Sequence, residues 1–248
     1  MNTLLLLLLD SRAPAGAHHH SGGMEAAVGT GLVTGLTDLE DFCRARLRTS
    51  ARVCATFAAA SARLQSDTPE RSVVRAADSW SQQQAAQQQS AQRQWGVLDA
   101  EFEARTPSEA MRTASRQLGR GLVRLLRSVK PEADLVTAFG RCPGPAPHHP
   151  LVLGAAVGLA GGGPDLAARA AALAACAGPA SAAVRLLGLD PFAVQGMLAR
   201  LAPAIDSCAA DAARASAGPP SSLPAGAAPA LDLLADFHLT AEVRLFAS

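Results

Sequence analysis

The chain has 248 residues, 49% of them hydrophobic, which is enough apolar material for one large buried core. Tyrosine is absent and aromatic residues make up only 4%, so the composition disfavours a β-sheet protein and favours helices. The formal net charge of +1 gives no overall attraction to nucleic acid or an anionic membrane, and five widely spaced cysteines without a CxxC motif favour a reduced, cytoplasmic compartment.

The first predicted elements are a short buried helix at Leu4–Leu9 and a turn-rich loop over residues 10–23. No lysine or arginine precedes the leucine run, so we prefer a buried helix to a secretory signal. In an extended loop His18 and His20 point the same way and can contact a borderline metal such as nickel. The alternative is that the loop histidines pack or hydrogen-bond where the loop meets a helix, because two imidazoles without a nearby carboxylate or cysteine make an incomplete metal site.

The next segments alternate helix signals with one low-complexity tract. A short helix is predicted over Met24–Val28, and a capping box at Thr37–Glu40 opens a helix whose apolar stripe reaches Leu64. Pro69 predicts the start of another short helix. The glutamine-rich tract at about 79–95 reads as an insertion that either extends a helix or stays disordered.

The clearest helix start is Thr106-Pro107-Ser108-Glu109, which combines a capping box with proline at the first helical position. The helix carries an arginine ridge, defined by Arg112, Arg116, Arg120, Arg124 and Arg127. Four residues advance about 400°, so the ridge stays near one side. It is either a solvated polar face or a basic surface that docks onto an acidic partner, since guanidinium groups pair well with carboxylates. Nucleic acid is disfavoured because no aromatic residues are interleaved.

The last part of the chain predicts further helices and one linker. Pro131 opens a short helix, and a proline-rich loop covers about 142–150. Longer helices are predicted at Leu151–Ala160, Asp165–Ala177, Pro179–Leu187, Asp190–Ala215 with a kink at Pro203, and Ala230–Leu245. A flexible linker is expected at about 217–229. Residues 1–248 therefore predict a single-domain all-α bundle of about nine to ten helices, without a membrane span.

No pattern in the sequence assembles a catalytic site. GxSxG, GxxxxGK[ST] and HExxH are absent, and His148-His149 lies in the proline-rich loop without an evident acid or nucleophile. We therefore expect a protein that is not an enzyme. Two alternatives stay open: a helical regulator that binds an acidic protein through the arginine ridge, and a small helical metalloenzyme that uses His18 and His20.

Five segments in order along the chain form a set. The first contains an apolar stretch, an acidic-small pair, a proline, a glycine and a Ser-x-Gly-apolar-Glu ending, which are Leu4–Leu9, Asp10-Ser11, Pro14, Gly16 and Ser21–Glu25. The later segments are Ala114–Gly119, His149–Gly154, Ala182–Leu187 and Arg244–Ser248. In this order the five segments resemble the signatures of the UreF family of urease accessory proteins. The trio His18-His19-His20 stands where many members have an aromatic-small-aromatic trio, and it resembles the version found in an actinobacterial branch.

The resemblance implies a cytoplasmic, dimeric, non-catalytic protein that helps to load nickel into urease. Its expected partners are the scaffold protein UreD (also called UreH), the nickel-carrying GTPase UreG, whose activity it would modulate, and apo-urease. No resident cofactor, nucleic acid or membrane is implied, and nickel would only pass through. The residues that the resemblance assigns to partner binding are Pro14, Gly16, Ser21, Gly23, Glu25, Arg116, Arg244, Leu245, Phe246 and Ser248.

Overall fold

Ten α-helices and one 3-10 helix are found in the part of the chain that a computed structural model describes, which is residues 3–9, 20–66, 79–131, 146–226 and 228–238. The helices are α1 (Thr3–Leu9), α2 (Met24–Gly29), α3 (Leu36–Arg48), α4 (Ser50–Ser66), α5 (Ser79–Ala104), α6 (Glu109–Val129), α7 (His149–Leu159), α8 (Pro164–Leu187), α9 (Pro191–Ala215) and α10 (Pro229–His238). The 3-10 helix is Pro220–Ser222. No strand occurs within these ranges, which confirms the predicted all-α bundle.

Helix α4 lies at the centre of the bundle, in contact with α7, α8 and α9, and most of its buried residues are alanines. Gly154 of α7 permits a very close approach, because a Cβ at this position would lie 2.0 Å from the carbonyl oxygen of Ala58. Across the same contact the Ser61 hydroxyl donates a hydrogen bond to the carbonyl of Leu151. Small residues therefore let the two backbones touch, and this close packing supplies the dispersion contacts that larger side chains would otherwise give.

Helix α6 begins at Glu109, later than the predicted first residue Pro107. Ser108 takes the cap position instead of Thr106, and its Oγ accepts a hydrogen bond from the N–H of Met111 at 3.2 Å. Asp236 of α10 completes the cap, since its carboxylate accepts from the Ser108 hydroxyl at 2.7 Å. The predicted cap of α9 at Asp190 is confirmed.

The capping box predicted at Thr37–Glu40 is wrong. Helix α3 begins at Leu36 after Gly35, so Thr37 lies inside it. Asp38 instead accepts hydrogen bonds from the N–H and hydroxyl of Thr34 at 2.9 and 2.6 Å, which holds the preceding turn against the helix. The single helix predicted from this box is in fact two helices, because the helical conformation is interrupted at Thr49, between α3 and α4.

Helix α8 is continuous where the sequence predicted two helices separated near Pro179. Proline has no N–H, so it leaves the carbonyl of Ala175, four residues earlier, without its helical partner. The buried side chain of Arg46 replaces that partner, donating from Nε to the Ala175 carbonyl at 3.1 Å. A tertiary hydrogen bond thus compensates for the proline, and the helix carries on to Leu187. Helix α9 likewise continues through Pro203.

Several smaller features refine the predictions. In α1 only Leu5 and Leu8 are buried, while Leu6 and Leu7 are exposed, so the helix is not buried all round. The glutamine-rich tract forms the first part of α5. In the predicted linker, Arg105 donates to the carbonyl of Leu223 at 3.2 Å, which fixes this segment to the end of α5. The helices predicted to follow Pro69 and Pro131 lie outside the described residues.

Within the described ranges, α8 is the helix that is long and apolar enough to cross a membrane by length and composition. In the bundle it contacts α2, α3, α4, α7 and α9. One side of the helix therefore packs inside the bundle, and its alanines at the helix contacts are buried.

Candidate interaction site

A tight turn from Ser21 to Glu25, called here the N-terminal turn, leads into α2. Gly22 and Gly23 have φ angles of +61° and +86°, in the left-handed region that residues with a Cβ avoid. The buried hydroxyl of Ser21 accepts a hydrogen bond from the N–H of Glu25 at 3.3 Å. The turn therefore joins three of the predicted partner-binding residues, Ser21, Gly23 and Glu25, in one structural unit whose backbone requires glycine.

Arg46 of α3 anchors the N-terminal turn, with only 7% of its surface exposed. Its Nη1 donates to the carbonyl of Gly22 at 2.8 Å, while its Nε donates to Ala175 in α8. Pro179 closes the turn from the other side, because a Cβ at Gly22 would lie 3.1 Å from Cγ of Pro179. One buried guanidinium therefore holds the turn against both α3 and α8. The sequence offered a signal for this role, since Arg46 falls on the apolar stripe of α3 at helical spacing from Phe42.

A cavity of about 80 Å³ lies beside the N-terminal turn, where α4, α6 and α10 meet the end of α5. Its polar lining includes Arg46, Ser50, Arg105 and Asp232. The Oγ of Ser50 has no hydrogen-bond partner among the described residues. Small-molecule sites usually measure about 300–1,000 Å³. This cavity therefore suits a few water molecules and not an organic substrate.

A second polar cluster, the Arg116 network, consists of Asp99, Glu103, Arg112, Arg116 and His148. The guanidinium of Arg116 donates from Nη2 and Nε to Glu103 at 2.5 and 3.1 Å, and from Nη1 to Asp99 at 3.0 Å. Arg112 forms a further ion pair with Glu103, with Nε and Oε1 at 3.1 Å. Burial raises the pKa of Glu103, but the hydrogen bonds from His148 and Arg116 outweigh burial and leave it below its usual value. The network joins α5, α6 and the loop before α7 into one unit.

His148 is fully buried inside this network. Burial lowers the pKa of its imidazole, which the carboxylates of Asp99 and Glu103 oppose only in part. We therefore assign a neutral ring that donates from Nε2 to Glu103 at 2.6 Å, while its backbone N–H donates to Asp99 at 2.9 Å. The expectation that no acid accompanies this histidine is thus wrong, because the contact joins residues 45 apart in the sequence. Its Nδ1 has no hydrogen-bond partner in the described part of the chain.

The loop histidine His20 lies near His149, the first residue of α7. Burial and then the charge of His20 lower the pKa of His149 to about 4. The backbone N–H of His149 donates to the Ser115 hydroxyl at 3.2 Å, which connects α7 to α6. In the ranges that the structure describes, no group of three or more His, Cys, Asp or Glu side chains is placed to hold a metal ion. His18 lies outside those ranges, so a nickel contact by His18 and His20 stays a prediction.

The arginine ridge divides into two parts. Arg112 and Arg116 turn toward α5 and belong to the Arg116 network. Arg120, Arg124 and Arg127 are exposed on the outer side of α6. The remaining predicted partner-binding residues, Pro14, Gly16, Arg244, Leu245, Phe246 and Ser248, lie outside the described residues.

Sequence reasoning missed the two acids of the Arg116 network, Asp99 and Glu103. A signal existed for Asp99, because it falls on the same side of α5 as the buried residues Trp95, Leu98 and Phe102. A charge at a core-facing position predicts a partner, because an unpaired charge is costly to bury. Glu103 offers no such signal, since its side chain is more exposed than that of Asp99.

Comparison with known proteins identifies a matching family model and relatives that align with nearly the whole chain. The family model described as UreF matches residues 33–202. A urease accessory protein UreF from Mycobacterium sp. (strain JLS) is 42% identical over 246 residues, covering 99% of this chain and 98% of that protein. One from Mycolicibacterium vanbaalenii is 41% identical over 245 residues, with 98% and 97% covered. One from Mycobacterium tuberculosis (strain ATCC 25177 / H37Ra) is 37% identical over 235 residues, with 95% and 93% covered.

Proposed function

The chain belongs to the UreF family of urease accessory proteins, and from this premise we propose that it is a non-catalytic interaction protein that helps to load nickel into urease. In this proposal it connects the UreD-type scaffold to the UreG-type GTPase, modulates the GTPase and docks with both on apo-urease in the cytoplasm. It acts there as a homodimer. Nickel passes through the assembly, and His18 and His20 contact it only in transit.

One observation carries the proposal. In the segments that resemble the UreF signatures, the polar side chains form hydrogen bonds that hold helices and turns together. Ser21 closes the N-terminal turn, Ser115 connects α6 to α7, and Arg116 joins α6 to α5. These segments meet around a cavity too small for an organic substrate, which Gly22, Gly23 and Ser115 help to line. Residues that stabilise the fold, and that do not position a reacting group, suit a protein that presents its surface to other proteins.

Two segments near the chain ends supply the partner contacts in this proposal. Arg244, Leu245, Phe246 and Ser248 bind the scaffold, together with the segment that holds Pro14 and Gly16. The N-terminal turn supports this assignment, because Arg46 fixes the turn that follows residues 10–20 in the chain. A fixed anchor lowers the entropy lost when the adjoining segment binds a partner.

The proposal is tested by co-purification of the full-length chain with the scaffold and the GTPase of the same organism over a sizing column. We expect a stable complex, and its loss when Arg244 and Phe246 are replaced together by alanine. Ala247→Ser in the same tail is the matched control and should leave the complex unchanged. Circular dichroism and the unfolding midpoint of each variant establish that the bundle is intact. A folded full-length chain that binds neither partner would contradict the proposal.

A further inference from the structure

The outer side of α6 carries an exposed arginine row, defined by Arg120, Arg124 and Arg127. After Glu109 the helix contains no acidic residue, although the whole chain has a net charge of only +1. No described residue forms an ion pair with any of the three guanidinium groups. This part of the surface is therefore a local concentration of positive charge in a nearly neutral protein.

Solvation of the helix does not account for this arrangement. Like charges four residues apart repel one another and destabilise a helix, and Arg120 and Arg124 are such a pair. The helix dipole favours only Arg127, which lies in the last turn. Two other exposed arginines are paired within the bundle, Arg169 with Asp206 at 2.9 Å and Arg200 with Glu40 at 3.0 Å, whereas Arg48, Arg52 and Arg93 are exposed without an ion pair among the described residues. The exposed row differs from all of these because three unpaired charges follow one another along one side of a single helix.

The spacing of the row defines the partner that fits it. Seven residues of helix rise about 10 Å, and the row stays near one side of the cylinder. A helix with carboxylates at positions i, i+4 and i+7 presents the complementary spacing, and each guanidinium can pair bidentately with one carboxylate. Nucleic acid fits less well, because α6 carries no aromatic residue on which a base could stack.

We propose that the exposed arginine row binds an acidic helix on the surface of one of the urease-maturation partners, an inference that rests on the proposed function. The contact orients the partner and speeds its association, as charged rims of interfaces do. It is separate from the contact made by the terminal segments. Loss of the row should therefore weaken the complex while the tail still binds.

The first test compares two variants with the same change in charge. One is R120E/R124E/R127E; the control, R48E/R52E/R93E, reverses three exposed arginines on other helices that form no ion pair among the described residues. Affinity for the scaffold, the GTPase and the complex of both is measured by biolayer interferometry in low and high salt. We expect the row variant to bind one partner at least about tenfold more weakly in low salt, with a smaller difference in high salt. The control should lose much less affinity.

Equal losses in the two variants would overturn the inference and leave the proposed function intact. So would unchanged binding by the row variant. If the wild-type chain binds neither partner, the proposed function fails and the inference fails with it. Binding that disappears after nuclease treatment of the wild-type protein would assign the row to nucleic acid and would also overturn the inference.

The second test identifies the contact directly, and it uses the fact that Lys130 is the only lysine of the chain. The variant R120K/R124K/R127K keeps the charge and adds amines that a carbodiimide can join to carboxylates within direct contact. We expect mass spectrometry to find cross-links from the new lysines to acidic residues of one partner helix, spaced three to four residues apart. The matched control is R93K/R169K/R214K. Cross-links from the control lysines alone would overturn the inference.

Discussion

Replacing Arg46 with methionine removes the group that joins the N-terminal turn to α3 and α8. Methionine fills a similar volume, so the main loss is two hydrogen bonds from a charged donor, at 2.8 Å to Gly22 and 3.1 Å to Ala175. Each such bond contributes about 1.5–3 kcal/mol, and both carbonyls are left without this donor in a largely buried site. We therefore expect the free energy of unfolding to fall by about 3–5 kcal/mol.

A double-mutant cycle with Pro179→Ala tests the physical reason for this loss. Alanine restores the N–H that proline lacks, so the carbonyl of Ala175 regains a helical partner when Arg46 is absent. We expect Arg46→Met to cost about 1–2 kcal/mol less in the Pro179→Ala background than in the wild type. Because the cycle compares the same substitution in two backgrounds, the packing changed by Pro179→Ala cancels.

The measurement is urea unfolding of the four proteins, followed by circular dichroism at 222 nm, with Arg44→Met as the surface control. Arg44 lies on the same helix, and its ion pair with Glu40 is more exposed. The control should cost about 1 kcal/mol or less. Costs of Arg46→Met that agree within about 0.5 kcal/mol in the two backgrounds would refute the compensation of Pro179 by Arg46.

Three further predictions concern packing, acid stability and capping. Gly154→Ala should destabilise the fold by about 2–4 kcal/mol in urea unfolding, because the new Cβ would lie 2.0 Å from a backbone oxygen. The control Gly96→Ala, which has open space around it, should be neutral or stabilising. The free energy of unfolding should fall as the pH drops from about 6.5 toward 4. In this range His149 becomes protonated in the unfolded chain, whereas in the folded protein it stays neutral because its pKa is about 4. His149→Gln should flatten that slope, and an unchanged slope would contradict the assignment. Ser108→Ala should cost about 1–2 kcal/mol, since it removes the cap of α6 and one of the two hydrogen bonds to Asp236, which keeps only the N–H of Ala110 as donor.

The helical bundle was predictable because it depends on local patterns. Helix-forming residues, apolar stripes and proline or glycine breaks follow from the sequence, and they gave the positions of α1, α2, α7 and α9 closely. The failures at α3 and α8 have different causes. At α3 a competing local contact, between Thr34 and Asp38 four residues apart, replaces the predicted capping box. At α8 Arg46, which is 129 residues from Ala175, compensates for a proline that local rules treat as a break. Only this second kind of failure comes from a hydrogen-bond partner that is distant in the sequence.

The candidate site was only partly predictable for the same physical reason. Ser21 and Gly23 could be singled out by the family resemblance, and the turn they form is local. The Arg116 network could not, because Glu103 and His148 meet only when α5 packs beside the loop before α7. Spacing along α6 also cannot separate Arg116, which turns inward, from Arg120, which stays exposed. That division is decided by the acidic residues on a neighbouring helix.

The most direct test of the central claim is the nickel content of urease assembled with and without this chain. Apo-urease is produced together with the scaffold and the GTPase of the same organism, purified, and analysed for nickel per active site by plasma mass spectrometry. The account predicts low occupancy when the chain is omitted and restored occupancy when it is supplied. Equal nickel occupancy in the two preparations would contradict the claim that this protein helps to load nickel into urease.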